Sequence, residues 1–235
     1  MTAQTATDAG STGAGLLYDA RRGVYYAKPA LRGWLHLLCF WASLAGAPLL
    51  VGRAHGGAQI TAVLVYSASL SALFGTSALY HRGTWTAATR LRLRRLDQAM
   101  IFFLIAGTAT PAFLLCAPPG LRPAALTVMW ALTLTAATVR LALPATPELL
   151  AGALFIGLGC AGGLALPWAW THDGTASGVL LLLLVGGLLY IAGALSYRRR
   201  WSDPYPSVFG YHEVFHVCVC AAAACQFAAI VRFVS

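Results

Sequence analysis

Six side chains in this sequence carry chemistry at a telling spacing: Ser77, His81, Asp97, His212, Glu213 and His216. His212 and His216 lie four residues apart, so on a helix both imidazoles project from one face. That is the pair geometry for a shared metal ion. His81 offers a third imidazole. Neutral imidazole suits Zn²⁺, and three protein nitrogens with a fourth position open is the layout of a catalytic rather than a structural zinc site. Asp97 stands either as a fourth ligand or as the group that holds a water molecule and takes its proton. Ser77 precedes His81 by one helical turn, on the same face. Its hydroxyl can bond that water or a substrate oxygen, or it can pack as a small residue against a neighbouring helix. The candidate metal ligands are therefore His81, His212 and His216, and the candidate catalytic residues are Asp97 and Ser77.

The string His212-Glu213-Val214-Phe215-His216 also fits H-E-x-x-H, the zinc protease motif in which the Glu is a general base. Two features oppose that reading. The chain after His216 holds no Asp, Glu or His to complete the ligand set. Glu213 would also point about 100° away from His212 around a helix. It is expected to face an arginine of the loop between the second and third or the sixth and seventh helices.

These residues need elements to hold them. Of 235 residues, 59% are hydrophobic and only 10% charged, and the mean hydropathy is +0.71. A soluble domain is about 45–50% apolar and about 25% charged. The composition excludes a soluble globular protein and a disordered one. The six Cys lie in apolar runs without C-x-x-C spacing, where a thiol is an apolar filler. A disulfide scaffold is excluded too.

A spanning helix needs about 20 mostly apolar residues. Seven segments qualify: Leu31–Val51, Ala58–Tyr80, Leu96–Cys116, Pro123–Leu143, Leu149–Trp170, Gly178–Tyr197 and Phe209–Phe233. The connections are short, so the expected fold is an all-α membrane protein: one seven-helix bundle over residues 21–235. Residues 1–20, rich in Ala, Thr and Gly, read as a disordered tail. They lack the charged and apolar regions of a cleaved signal peptide.

The formal charge is +9, from 16 Lys and Arg against 7 Asp and Glu. Thirteen of the sixteen cations fall on one side of the seven segments: Arg21, Arg22, Lys28 and Arg32, then Arg82, Arg90, Arg92, Arg94 and Arg95, then Arg140, then Arg198, Arg199 and Arg200. Arg53, Arg122 and Arg232 fall on the other. The positive-inside rule then places the N-terminus in the cytoplasm and the C-terminus outside. A nucleic-acid partner is not expected, because these cations sit in short loops beside a membrane. Attraction to anionic lipid headgroups accounts for them. The run Arg90-Leu91-Arg92-Leu93-Arg94-Arg95 reads as an interfacial loop with its Leu side chains in the lipid.

The same alternation gives depth. His81 ends the second helix, Asp97 begins the third, and His212 and His216 begin the seventh. All arrive at the cytoplasmic end. An ionisable group within a membrane segment is a functional candidate by default. His36, His55 and His172 are read as ordinary interface residues.

Three stretches together resemble the hemolysin III family, the bacterial branch of the progestin and adipoQ receptors. They are Ser77-Ala-Leu-Tyr80-His81, then Leu96-Asp97-Gln98-Ala-Met-Ile-Phe-Phe-Leu-Ile-Ala-Gly107-Thr108-Ala-Thr110-Pro111, then Phe209-Gly210-Tyr211-His212-Glu213-Val214-Phe215-His216. The resemblance implies a seven-helix bundle with a cytoplasmic N-terminus and an intramembrane zinc site in which His81, His212 and His216 bind the metal. Asp97 and Ser77 match the family's Asp and Ser. The wider superfamily includes alkaline ceramidases, which implies hydrolysis of a lipid amide or ester at the plasma membrane. This chain departs from many members at Gln98 and Gln226, where His is common, and at Ala109, where Tyr is common.

The leading expectation is thus an inner-membrane zinc protein with hydrolase-like chemistry on a lipid amide or ester, or a role in membrane lipid homeostasis, with membrane lipids as substrate or ligand. A non-enzymatic membrane sensor with a structural zinc is the first alternative. Cytolysis is another, although no segment shows the continuous polar face that would line a pore. An intramembrane metalloprotease is the last.

Overall fold

The computed structural model describes residues 16–19, 24–143, 148–171, 176–201 and 203–234. Strand β1 (Leu16–Asp19) pairs antiparallel with β2 (Val24–Ala27), Leu16 opposite Ala27 and Asp19 opposite Val24. Eight helices follow among the described residues: α1 (Trp34–Arg53), α2 (Gly56–Arg82), α3 (Ala87–Cys116), α4 (Arg122–Ala142), α5 (Glu148–Gly163), α6 (Leu166–Thr171), α7 (Ala176–Arg199) and α8 (Tyr211–Phe233). Seven segments are long and apolar enough to cross a membrane, with α5 and α6 together supplying the fifth. The expected seven-helix membrane bundle is the observed fold.

Three boundaries differ from the sequence reading. The N-terminal tail of residues 1–20 lies mostly outside the described residues, but Leu16–Asp19 within it is paired strand. The Arg90–Arg95 run is not a loop. It belongs to α3, which starts at Ala87 behind Thr86, whose hydroxyl accepts the Thr89 amide at 3.3 Å. Arg and Leu are both good helix formers, and this stretch has somewhere to dock. Arg95 Nη1 donates to the Leu141 carbonyl at 3.3 Å, and Arg140 of α4 donates to the Gln98 side-chain oxygen. The third difference is the break in the fifth span at Gly163–Ala165. Gly162 and Gly163 weaken the helix there, and the Leu164 and Ala165 amides close tight three-residue turns onto Ala161 and Gly162 at 3.2 Å. Pro167 then sits in the first turn of α6, where its missing amide costs nothing.

The core lies on α2 and α3, the two spans with the largest buried share. Tyr66, Phe102, Met129 and Ile230 are fully buried. Leu38, Leu64, Leu132, Ile156, Leu181 and Leu188 point outward and are exposed. An apolar exterior is the expected face of a bundle in lipid. Because lipid is as apolar as Leu, helices in a membrane associate through close packing at small residues. The α2–α3 pair does this at Gly107. A Cβ placed there would lie 1.9 Å from Ser69 Oγ, so any side chain would force the two helices apart. Ser69 returns its proton to the Tyr66 carbonyl at 2.8 Å, and Ser43 of α1 bonds Ser71 of α2 at 2.8 Å. Ser69 and Ser71 therefore act as packing residues, as their size suggests.

The segments before α1 and before α8 are joined by backbone bonds. The Ala30 and Leu31 amides donate to the Ser207 and Val208 carbonyls at 3.0 and 3.1 Å. This docks the segment before α1 onto the loop before α8.

Candidate metal centre

His81 closes α2, Asp97 lies three turns into α3, and His212 and His216 open α8. Helix alternation brings all four to one end of the bundle, as their positions along the chain require. Packing then turns the imidazoles toward one another. The ring nitrogens of His81, His212 and His216 lie within 4.8 Å of one another. His81 Nε2 and His212 Nε2 are 3.2 Å apart. Ring centroids are 4.6 Å apart for His81–His212, 5.1 Å for His81–His216 and 4.6 Å for His212–His216.

Chemistry and spacing can be compared with a metal. At zinc–nitrogen bonds of about 2.0–2.1 Å, two tetrahedral ligands stand about 3.3–3.4 Å apart. The His81–His212 separation falls beside that value. A neutral N–H···N hydrogen bond would give a similar separation, but it would not account for a third imidazole. His216 Nδ1 is buried without a hydrogen-bond partner, which is costly for a polar atom in an apolar interior. The donor set therefore fits a borderline metal such as zinc.

Asp97 Oδ2 lies 3.9 Å from His81 Nε2, and the Ser77 side chain faces the Asp97 carboxyl group. Ser77 is buried. So Asp97 stands beside the three nitrogens rather than among them. Tyr80 and Tyr197 form aromatic walls, with ring centroids 4.5 Å from His81 and 5.2 Å from His212.

His36 corrects the sequence reading. It is not an interface residue. It is 3% exposed, its ring is stacked on His216 with centroids 3.7 Å apart and planes at 15°, and its Nδ1 is 2.8 Å from Ser77 Oγ. The signal that could have found it is the same alternation. His36 sits in the first turn of α1, at the depth of the other histidines. His55 does behave as expected: it is exposed at the start of α2. His172 lies outside the described residues.

Glu213 is fully buried and pairs with Arg32, itself nearly buried, from the segment before α1. The arginines expected to face it, in the second and sixth connections, do not take that place. Its second oxygen accepts the Gly210 amide at 2.8 Å, and Asp203 accepts the Tyr211 amide at 3.0 Å. Two of the free amides at the start of α8 are satisfied this way. Gly33 makes the Arg32 approach possible. Its φ is +82°, and a Cβ there would stand 2.7 Å from His81 Cβ, so glycine alone suits both the turn and the contact. Lys28 Nζ donates to the His81 carbonyl. Partial desolvation of its ammonium, with Arg90, Arg32 and Arg82 nearby, pulls its pKa below the usual lysine range.

The departures have partners of their own. Gln98 accepts from Arg140, and Gln226 donates to the Leu183 carbonyl at 3.3 Å. Ala109 is buried in the core. A groove of about 620 Å³, lined by Leu37, Phe40, Ala72, Gly75, Leu79 and Arg82 among others, runs between α1 and α2. The histidines do not line it.

The family described as haemolysin-III related matches residues 24–227, a stretch that holds all of these side chains. With its seven membrane helices, the chain belongs to the haemolysin-III related family.

Proposed function

We propose that the protein is a zinc-dependent hydrolase of a lipid amide or ester in the plasma membrane. The observation that carries this reading is the set of three imidazole nitrogens within 4.8 Å, with a carboxylate 3.9 Å from one of them. Bound there by His81, His212 and His216, zinc would supply a Lewis acid and bring the ionisation of water near neutrality. Asp97 accepts the proton of the attacking water, and Ser77 orients that carboxylate. Water adds to the lipid carbonyl, the C–N or C–O bond breaks, and the departing amine or alcohol takes the proton back from Asp97. The products are a carboxylic acid and an amine or alcohol.

Asp97→Asn keeps the size and loses the base. It is expected to retain zinc and fold while losing about 100-fold or more in turnover. The measurement is hydrolysis of a panel of ceramide-like amides and lipid esters by purified protein in bilayers. Wild-type protein that holds zinc but turns over none of them would favour the structural-zinc alternative. The protease alternative is weakened by Glu213, whose carboxylate is committed to Arg32 and Gly210.

The same reading puts the N-terminus and the histidine cluster on the cytoplasmic side, supported by the thirteen-to-three distribution of cations. Alkaline phosphatase fused after Ser235 should be active in a bacterial host, since it needs export. An inactive fusion paired with a fluorescent green one at the same point reverses the assignment.

A further inference from the structure

We propose that His36 is a positioning residue of the metal centre, holding Ser77 against Asp97 and fixing the ring plane of His216. The inference rests on the reading of His81, His212 and His216 as metal ligands and extends it to a fourth imidazole. Three observations carry it.

The first is direction along a hydrogen-bond chain. Ser77 Oγ lies 2.8 Å from His36 Nδ1 and faces the Asp97 carboxyl group. A hydroxyl has one proton to give, and a carboxylate can only accept. We assign the Nδ1–H tautomer to His36, so that it donates to Ser77 and leaves the Ser77 proton to turn toward Asp97. The Ser77 proton is already used, so Ser77 acts on Asp97 and not as a donor to substrate.

The second is the stack. His36 lies face to face with His216 at 3.7 Å and meets Phe74 edge-on at 5.1 Å. A ligand ring held by a flat neighbour cannot rotate its nitrogen away from the other two. The third is burial. His36 is 3% exposed and its Nε2 has no partner. A burial of this kind without a second bond is costly, and packing residues that avoid that cost are plentiful in this sequence. One residue of α1 thus touches Phe74 and Ser77 of α2 and His216 of α8, and Ser77 in turn faces Asp97 of α3.

The two contacts can be separated by substitution. His36→Ala removes both. His36→Phe keeps a flat ring and loses the donor. Ser77→Ala removes the link to Asp97. The full chain is purified and loaded with cobalt, whose visible bands report coordination number and geometry, and its affinity is read by competition with a chelator. His36→Ala is expected to weaken cobalt binding about 10-fold or more, in the range found for groups supporting metal ligands. His36→Phe is expected to restore most of that affinity. Its visible spectrum should nevertheless change in the same way as that of Ser77→Ala, because in both the Asp97 carboxylate is released to move relative to the metal. The double variant His36→Phe/Ser77→Ala should show no further change.

Wild-type affinity and spectrum in His36→Ala overturn the inference, as does a double variant whose spectral change is the sum of the singles. If His36→Ala does not fold, the comparison of His36→Phe, Ser77→Ala and their double decides alone. Wild-type protein that takes up no cobalt or zinc overturns the metal-centre reading itself, and this inference with it.

Discussion

The His81→Ala/His216→Ala double variant is expected to purify with less than about a tenth of an equivalent of zinc, against about one for the wild type. The reasoning is geometric. Three nitrogens within 4.8 Å form one chelating set. Removing two leaves a single imidazole, His212, and a single imidazole does not hold zinc through purification. Among the described residues, nothing else near the cluster replaces the lost nitrogens. His36 commits Nδ1 to Ser77 and lies flat on His216, and Asp97 is one carboxylate. The helices should survive, because α2 and α3, the spans with the largest buried share, carry core residues such as Tyr66, Leu70 and Phe113 away from this end. Zinc is counted by elemental analysis of detergent-purified protein, and helix content by circular dichroism. Full zinc in the double variant, or less than about half an equivalent in the wild type, would remove zinc from these residues.

The second large effect concerns Glu213. It is fully buried and its partner Arg32 is 7% exposed. Breaking a buried ion pair by deleting one charge leaves the other without compensation, at a cost of about 3–5 kcal/mol. Glu213→Gln keeps the shape and an oxygen for the Gly210 amide, so it isolates the charge. The variant is expected to melt about 10 °C lower in detergent, on the scale linking stability to melting temperature in a chain of this size. Arg32→Met/Glu213→Leu removes both charges and should recover most of the loss. Zinc content should follow folding and not the Glu213 charge. An unchanged melting temperature in Glu213→Gln would show that the pair contributes nothing, and a metalloprotease base would again be a live role for this residue.

Both expectations draw on features that differ in how visible they are before folding. The seven spans were legible because hydropathy over about 20 residues is a local property. The four-residue spacing of His212 and His216 was legible because helical periodicity is local too. Even the common depth of His81, Asp97 and His212 follows from counting helices, since alternate spans return the chain to the same end. The start of α3 is not legible in the sequence, because the Arg-Leu run suits an interfacial loop and a helix equally. Its docking on α4, through Arg95 and Arg140, chose the helix.

By itself, the sequence determined how many helices cross, how they alternate and at what depth each ionisable side chain lies. The tertiary structure decided which way each helix faces. That rotation depends on contacts between residues far apart, such as Gly107 against Ser69 and Ala30 against Ser207. No local pattern encodes an azimuth, because a helix that is apolar all round offers no preferred face. Rotation turned His36 inward onto Ser77 and His216, and backbone docking carried Arg32 to Glu213. The depth of the site was therefore readable from the chain, and its membership was fixed only by packing.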